Sequence, residues 1–401
     1  MSEPSEKLPF LGELPTERIV LSEEEKAFFL KEGYLVVKGV FNAEEIALYN
    51  RLFMDYYEWI SKKKSSPGGF RHADKSTYKR KNLVTGLHGI LKNYAVGHCK
   101  ALWAIRSHPR LRHLFHDLIG ATVCSLDGAG FIPDVDVLPR QPEKNWLHVD
   151  KDPRTAKGKL AGIQAVVVGA GEEHTRVIPG SHLKDFSHLI PEGAPVSHWF
   201  KPDPKDGIFR KEDSIVIHAK PGDVILFMEG LVHSGTQPTK GERIVYYATG
   251  VTNLTEKMRI NYEKWVKWFR TTGHSLYKAN AENPQHYGDP DLMPENHFAF
   301  AEKFRQNIDE LKDDLSPEHF ASLVQLREDP WNPTLFNLTQ KPIFETVSLS
   351  EETKLFQAAE RKRKADERKR KASSASASSS SGKEPELKRQ RTLDSFGKKE
   401  E

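Results

Sequence analysis

Cysteine is almost missing from this chain: Cys99 and Cys124 are the only two in 401 residues. That excludes a disulfide framework and favours a reducing compartment. Long apolar runs are missing as well. No stretch of about 18 apolar residues exists, so no membrane span is expected. The first residues, Met1-Ser2-Glu3-Pro4-Ser5-Glu6-Lys7, carry neither a basic n-region nor an apolar h-region, and no signal peptide is expected. Basic charge is missing from the body of the chain. Residues 361–401 hold 14 Lys and Arg against 7 Asp and Glu, a net +7, which leaves −3 of the overall +4 for residues 1–360. Net charge therefore gives no sign of a nucleic-acid surface on the body.

What is present is enough apolar material for a large core. Hydrophobic residues make up 37%, with seven Trp and 21 Phe. Such a chain forms one large domain of about 250–300 residues with appendages, or two domains. Residues 1–20, rich in Pro and Glu, read as a flexible arm. Ser22 with Glu25 three residues on is a capping box that opens a helix, and Gly33 stops it. Tyr34–Val37 reads as a strand. Asn42 caps a second helix whose stripe of Ile46, Leu48, Tyr49, Leu52 and Phe53 is core packing. Residues 61–84 read as a polar, basic loop, in character a lid or substrate loop, and residues 90–120 as helical, with His113 and His116 as solvated or satisfied core positions.

From residue 122 to 253 the texture changes to short strands: Thr122–Ser125, Trp146–Asp150, Ile163–Val168, Thr175–Ile178, Ser214–His218, Asp223–Phe227 and Arg243–Ala248, punctuated by Pro-Gly and Lys-Gly turns. This spacing predicts a sandwich or jelly-roll barrel. Helical texture returns at Met258–Phe269 and at Leu315–Glu328, capped by Ser316. These helices are expected outside the barrel, closing a domain over residues 21–345.

The stretch with the most chemistry is Asn145-Trp146-Leu147-His148-Val149-Asp150. Residues two apart share a strand face, so Trp146, His148 and Asp150 would lie side by side. An imidazole and a carboxylate start a metal site, and a third ligand must come from elsewhere. His174, His182, His188, His198, His218 and His233 are candidates. His233 stands out because it follows the turn and strand Pro221–Phe227 and precedes Arg243 by ten residues. Two His and one carboxylate leave positions open on iron(II), and an arginine on the next strand offers a rigid fork for a carboxylate. A rival motif, His72-Ala73-Asp74, has no strand pattern to fix its geometry. His182 reads as a turn-stabilising residue.

At these residues the sequence resembles the phytanoyl-CoA dioxygenase family of Fe(II)/2-oxoglutarate oxygenases. The likeness rests on four features in order: His148-Val149-Asp150, Val177-Ile178-Pro179-Gly180-Ser181-His182, Pro221-Gly222-Asp223, and His233 with Arg243. Phe28–Val37 resembles the family's N-terminal end, and Thr271-Thr272-Gly273-His274 with Tyr287-Gly288 resembles its fungal members. The resemblance spans about residues 20–290. It implies an α+β, mainly β architecture, a double-stranded β-helix (jelly roll, cupin-like) with flanking helices. It implies iron(II) held by His148, Asp150 and His233, with Arg243 binding the distal carboxylate of 2-oxoglutarate. Oxygen and 2-oxoglutarate then yield succinate, carbon dioxide and an oxidant able to take a hydrogen from a C–H bond. Because Asp150 is present where halogenating relatives lack the carboxylate, hydroxylation or oxidative demethylation is implied. Trp146 would line the pocket. Gln164 would reach the co-substrate or face solvent.

The tail, residues 346–401, is expected to be disordered, since its Ser/Ala-rich and charged composition cannot repay ordering entropy. Arg361-Lys362-Arg363-Lys364, Arg368-Lys369-Arg370-Lys371 and Lys388-Arg389-Gln390-Arg391 are basic clusters, read as a nuclear address recognised by an import receptor through 361–371 and 388–391. Gln390, Leu393 and Phe396 resemble the motif that docks replication and repair proteins on the sliding clamp, although Gly397 stands where a second aromatic is usual. The leading expectation is a nuclear dioxygenase acting on an unidentified organic substrate. Beside it stand an oxygenase acting on a nucleic-acid base or chromatin and a non-catalytic nuclear adaptor.

Overall fold

A computed structural model describes residues 19, 21–64, 69–84, 89–91, 96–119, 124–139, 146–150, 152–154, 162–194, 200–203, 207–251 and 306–328. The chain divides into two units, Met1–Thr346 and Val347–Glu401. The second unit lies outside the described residues, as do the helix expected at Met258–Phe269 and every tail motif.

The N-terminal signals are realised as local chemistry. Ser22 accepts the Glu25 N–H at 3.1 Å, and the Glu25 carboxylate accepts the Ser22 N–H at 2.8 Å. This box opens helix α1, Glu23–Glu32. The helix ends at Gly33, whose φ of 82° is left-handed and whose N–H donates to the Phe29 carbonyl at 2.8 Å. A Cβ at Gly33 would also lie 2.3 Å from His182 Nδ1, so glycine is needed here for space as well as for conformation. Strand β1, Tyr34–Val37, follows. Asn42 and Glu45 form a second reciprocal cap, at 2.8 and 2.9 Å, and open α2, Ala43–Lys64.

The remaining described elements are β2 (Ile90–Leu91), α3 (Lys100–Ser107), α4 (Pro109–Ile119), β3 (Cys124–Ile132), β4 (Gly162–Ala170), β5 (Glu173–Val177), β6 (Ile215–His218), β7 (Val224–Met228), β8 (His233–Gly235), β9 (Arg243–Val251) and α5 (Pro317–Glu328). The strands build two antiparallel sheets, ordered β1-β7-β4-β9-β3-β2 and β6-β5-β8. From β4 onward the chain passes from the larger sheet to β5 and β6 in the smaller, then β7, β8 and β9 by turns. That alternation is the winding of a double-stranded β-helix, flanked here by helices.

The pleat divides the larger sheet into two faces. Ile163, Ala165 and Val167 of β4, Val224, Leu226 and Met228 of β7, and Ile244, Tyr246 and Ala248 of β9 join one apolar cluster with the helices. Tyr57 of α2 sits edge-on to Phe131 of β3 at 4.9 Å, and Phe53 edge-on to Tyr246 at 5.5 Å. Each such fully buried aromatic contributes about 1.5–3 kcal/mol. The opposite face points inward: Val166, Val168, Ile225, Phe227 and Val245 pack on Val177 and Ile217 of the smaller sheet.

Four segments differ from the sequence expectation. Residues 61–64 continue α2, because buried Ser61 is tied in by its hydroxyl, which donates to the Asn82 carbonyl and accepts the Phe70 N–H, both at 2.7 Å. Residues 69–84 are pinned rather than lid-like, since Phe70 is buried and Lys75 pairs with Asp134 at 2.8 Å. The stretch 90–120 is a short strand, a 3₁₀ turn at Val96–His98 and two helices. Pro109 makes the break: His108 before it is extended, at φ −62° and ψ 124°. Trp146–Asp150 is not a full strand; it contributes isolated bridges at His148 and Val149. Among the described residues no helix is long and apolar enough to cross a membrane.

Candidate metal centre

His148 and His233 are brought together by the backbone. They form an antiparallel pair in which each N–H donates to the other's carbonyl at 2.9 Å. Their rings stand 4.5 Å apart between centroids. Each ring is then oriented by a main-chain carbonyl. His148 Nδ1 bonds Trp146 O at 2.8 Å and His233 Nδ1 bonds Leu231 O at 3.0 Å. A carbonyl only accepts, so Nδ1 of each ring carries a proton and Nε2 is the nitrogen left to serve as a ligand. Phe227 of β7 supports the second ring from the sheet, with centroids 4.6 Å apart.

Asp150 completes the group. Its Oδ1 lies 3.3 Å from His148 Nε2 and its Oδ2 lies 3.5 Å from His233 Nε2. One donor atom from each of the three residues falls within 4.8 Å of the others. Desolvation raises the Asp150 carboxyl, but the two imidazoles outweigh it and hold the group well below the usual carboxylate range. The aspartate is therefore an anion at neutral pH. Two imidazoles and one carboxylate, converging without a thiolate, suit a divalent transition metal such as iron(II) and fill only three coordination positions.

Arg243 opens β9, opposite Ile132 of β3, and is 2% exposed. The glycines around it show where its head group lies. A Cβ at Gly235 would stand 3.7 Å from its Nη2, and one at Gly130 would stand 3.6 Å from its Nη1. Gly235 is two residues beyond His233 and so shares its face of β8. The guanidinium thus lies along the inner face, about one pleat repeat, roughly 7 Å, from the histidine position.

The other sequence candidates separate clearly. Gln164, expected to reach the co-substrate or face solvent, is half-buried, and its Nε2 donates to Asp150 Oδ2 at 2.8 Å. Trp146 is at the rim, 38% exposed, with its ring edge-on to His148 at 6.2 Å and Lys201 Nζ over its face at 4.2 Å. The rival pair His72 and Asp74 is occupied elsewhere. His72 Nε2 pairs with Glu242 at 2.8 Å, and Asp74 caps the turn Lys75–Thr77. His182 holds its turn by donating from Nε2 to Leu30 O at 2.9 Å, and burial lowers its pKa. His188 lies in a 3₁₀ turn and His218 ends β6 opposite Glu173. The side chain of His174, and all of His198, lie outside the described residues. Sequence reading missed Phe227, Gly130 and Gly235; only the spacing of Gly235 from His233 carried a signal.

No family model matches the chain. A curated protein of Aspergillus versicolor, Ava biosynthesis cluster protein O, is 28% identical over 130 residues, which is 31% of this chain and 39% of that protein. The chain therefore matches well under half the length of that relative. Solved structures similar to part of the chain include the following three. The epimerase SnoN, in complex with Fe3+, alpha ketoglutarate and nogalamycin RO, aligns over 58% of this chain and 84% of its own at 16% identity, TM-score 0.37. EctD from S. alaskensis with bound Fe aligns over 58% and 77% at 15%, TM-score 0.39. HygX from Streptomyces hygroscopicus, with nickel and 2-oxoglutarate bound, aligns over 60% and 94% at 16%, TM-score 0.37.

Proposed function

We propose that this protein is an iron(II)- and 2-oxoglutarate-dependent oxygenase that hydroxylates, or oxidatively demethylates, a small organic substrate. The observation that carries the reading is the convergence of His148 Nε2, His233 Nε2 and the Asp150 carboxylate within 4.8 Å on the inner face of the barrel. His148, Asp150 and His233 would hold the metal. When bound, iron(II) with 2-oxoglutarate and O2 supplies an oxidant for an unactivated C–H bond, with succinate and carbon dioxide as the other products.

The chain's own residues provide the rest. The Trp146 and Leu231 carbonyls keep both rings in the tautomer that presents Nε2. Arg243 provides a fixed, permanently charged fork for the distal carboxylate of the co-substrate. The apolar floor of Phe227 and Val245 keeps water from that face. Trp146 at the rim meets the substrate.

The test is anaerobic. Metal-free protein is titrated with Fe(II), then with 2-oxoglutarate, by calorimetry and visible absorption. Tight metal binding that is lost in His148→Ala and His233→Ala is expected. So is 2-oxoglutarate binding that needs the metal and weakens at least tenfold in Arg243→Ala, a change of about 1.4 kcal/mol or more. Metal-independent 2-oxoglutarate binding, or none, refutes the reading. For the tail, the basic clusters within 361–371 and 388–391 support a nuclear address. A fluorescent fusion that stays nuclear after all three clusters are neutralised refutes it.

A further inference from the structure

The three candidate ligands are not held alike. His148 and His233 are each fixed twice, by the paired backbone bonds at 2.9 Å and by an Nδ1 contact to a carbonyl. Asp150 follows the two bridges at His148 and Val149 and forms no bridge itself. Its carboxylate is tied instead to the opposite sheet, through Gln164 Nε2 and Oδ2 at 2.8 Å. Gln164 is well placed to act as an anchor. It sits inside β4, paired with Phe227 of β7 on one side and Thr249 of β9 on the other. A strand flanked on both sides is among the least mobile parts of a sheet. In that same cross-strand row, Phe227 supports the His233 ring at 4.6 Å. One rung of the larger sheet thus steadies two of the three ligands, His233 by packing and Asp150 by a hydrogen bond.

We infer that Gln164 is the positioning residue that turns Asp150 for metal binding: by holding Oδ2, on the His233 side, it fixes the rotation of the carboxylate and turns Oδ1 toward His148 Nε2. The inference rests on the metal-site reading above. An amide suits the task because it donates without charge. An arginine or lysine there would form a charge-assisted bond and compete with the metal for the carboxylate, whereas the amide leaves the aspartate's full charge for the metal. Holding one oxygen also disfavours two-oxygen ligation, which would consume a coordination position that a co-substrate needs. A ligand supported in this way typically loses 10–100-fold in metal affinity when its hydrogen-bond partner is removed.

Cobalt(II) is the probe, because its visible spectrum reports ligand number and geometry without turnover. Wild type, Asp150→Ala, Gln164→Leu and Gln164→Met are titrated anaerobically, and each metal-free protein is melted. Both Gln164 variants keep the side-chain bulk and remove the donor, and the second serves if the first does not fold. The expected result is about 10–100-fold weaker cobalt binding and an altered spectrum in the Gln164 variants, with metal-free melting close to wild type. A merely structural glutamine would lower the melting temperature and leave affinity and spectrum unchanged, and that result overturns the inference. The controls separate the two ideas. Wild type that binds cobalt, with binding lost in Asp150→Ala, upholds the metal site whatever Gln164 does. Wild type that binds none overturns both.

Discussion

Replacing Asn50 by leucine should destabilise the fold by about 2–6 kcal/mol and leave metal binding intact. Asn50 lies on α2 and reaches the helix-facing side of the sheet at two points. Its Oδ1 accepts the Tyr246 hydroxyl at 2.7 Å, and its Nδ2 donates to the Gly169 carbonyl at 3.0 Å. Gly169 sits where β4 slips register against β9, between Val168 and Ala170, so the amide takes the place of a ladder donor. The space is tight: a Cβ at Gly169 would lie 2.6 Å from Asn50 Oδ1. Tyr246 is fully buried, and burial pushes its phenol well above the usual range. Asn50→Leu strands a hydroxyl and a carbonyl, each at a cost of about 1–3 kcal/mol. Tyr246→Phe in the parent costs only about 1 kcal/mol, and in the Asn50→Leu background it removes an orphan and costs nothing. The coupling from urea unfolding of the four proteins should be about 1 kcal/mol. Additivity within about 0.5 kcal/mol refutes the assignment. Cobalt titration of the same four proteins checks the second half of the reasoning. Tyr246 and Arg243 alternate on β9, so loss of metal binding in Asn50→Leu would show that the two faces are not energetically separate.

The His72–Glu242 contact sets a pH dependence. The Glu242 hydrogen bond, opposed by desolvation, raises the His72 pKa. Its contribution to stability is therefore fully present below the unfolded value near 6.5 and is lost as pH rises through the higher folded value. Wild type should lose melting temperature relative to Glu242→Gln between pH 5.5 and pH 8.5, and parallel curves would refute the pairing. Cys99 is fully buried, and desolvation pushes its thiol up to about 12. In a Cys124→Ser background it should not react with an aromatic disulfide reagent at pH 8 until urea unfolds the protein; rapid native labelling refutes that placement.

The parts of the fold legible in the sequence are those fixed by neighbours along the chain. Ser22 with Glu25, Asn42 with Glu45, and Gly33 each act within four residues, and each stands where their spacing put it. The strands at Tyr34, Ile163, Ser214 and Asp223 were legible because one or both faces are apolar. β2 and β8 were not, being only two and three residues long. The 61–84 stretch was misread because its polar composition concealed Ser61, a small residue whose two hydrogen bonds lie 9 and 21 positions away.

The two His-x-Asp motifs show what sequence alone leaves open at a site. His72-Ala73-Asp74 and His148-Val149-Asp150 have the same spacing. In the first, each side chain has a protein partner that uses it up: Glu242 for the histidine, Arg71 and the Ser76 N–H for the aspartate. In the second, Nδ1 of the histidine is engaged and Nε2 is turned toward a carboxylate and a second imidazole supplied by β8. Asp74 is engaged by residues two and three positions away, but Glu242 lies 170 positions from His72 and Gln164 lies 14 from Asp150, distances that no local pattern encodes. Gln164 follows the same logic. From the sequence it reads as reaching the co-substrate or facing solvent, and its tie to Asp150 shows only when β4 is laid beneath that residue. A lone polar side chain inside an otherwise apolar strand is thus a sign that something across the barrel needs holding, and here the group it holds is the candidate ligand that the backbone leaves unfixed.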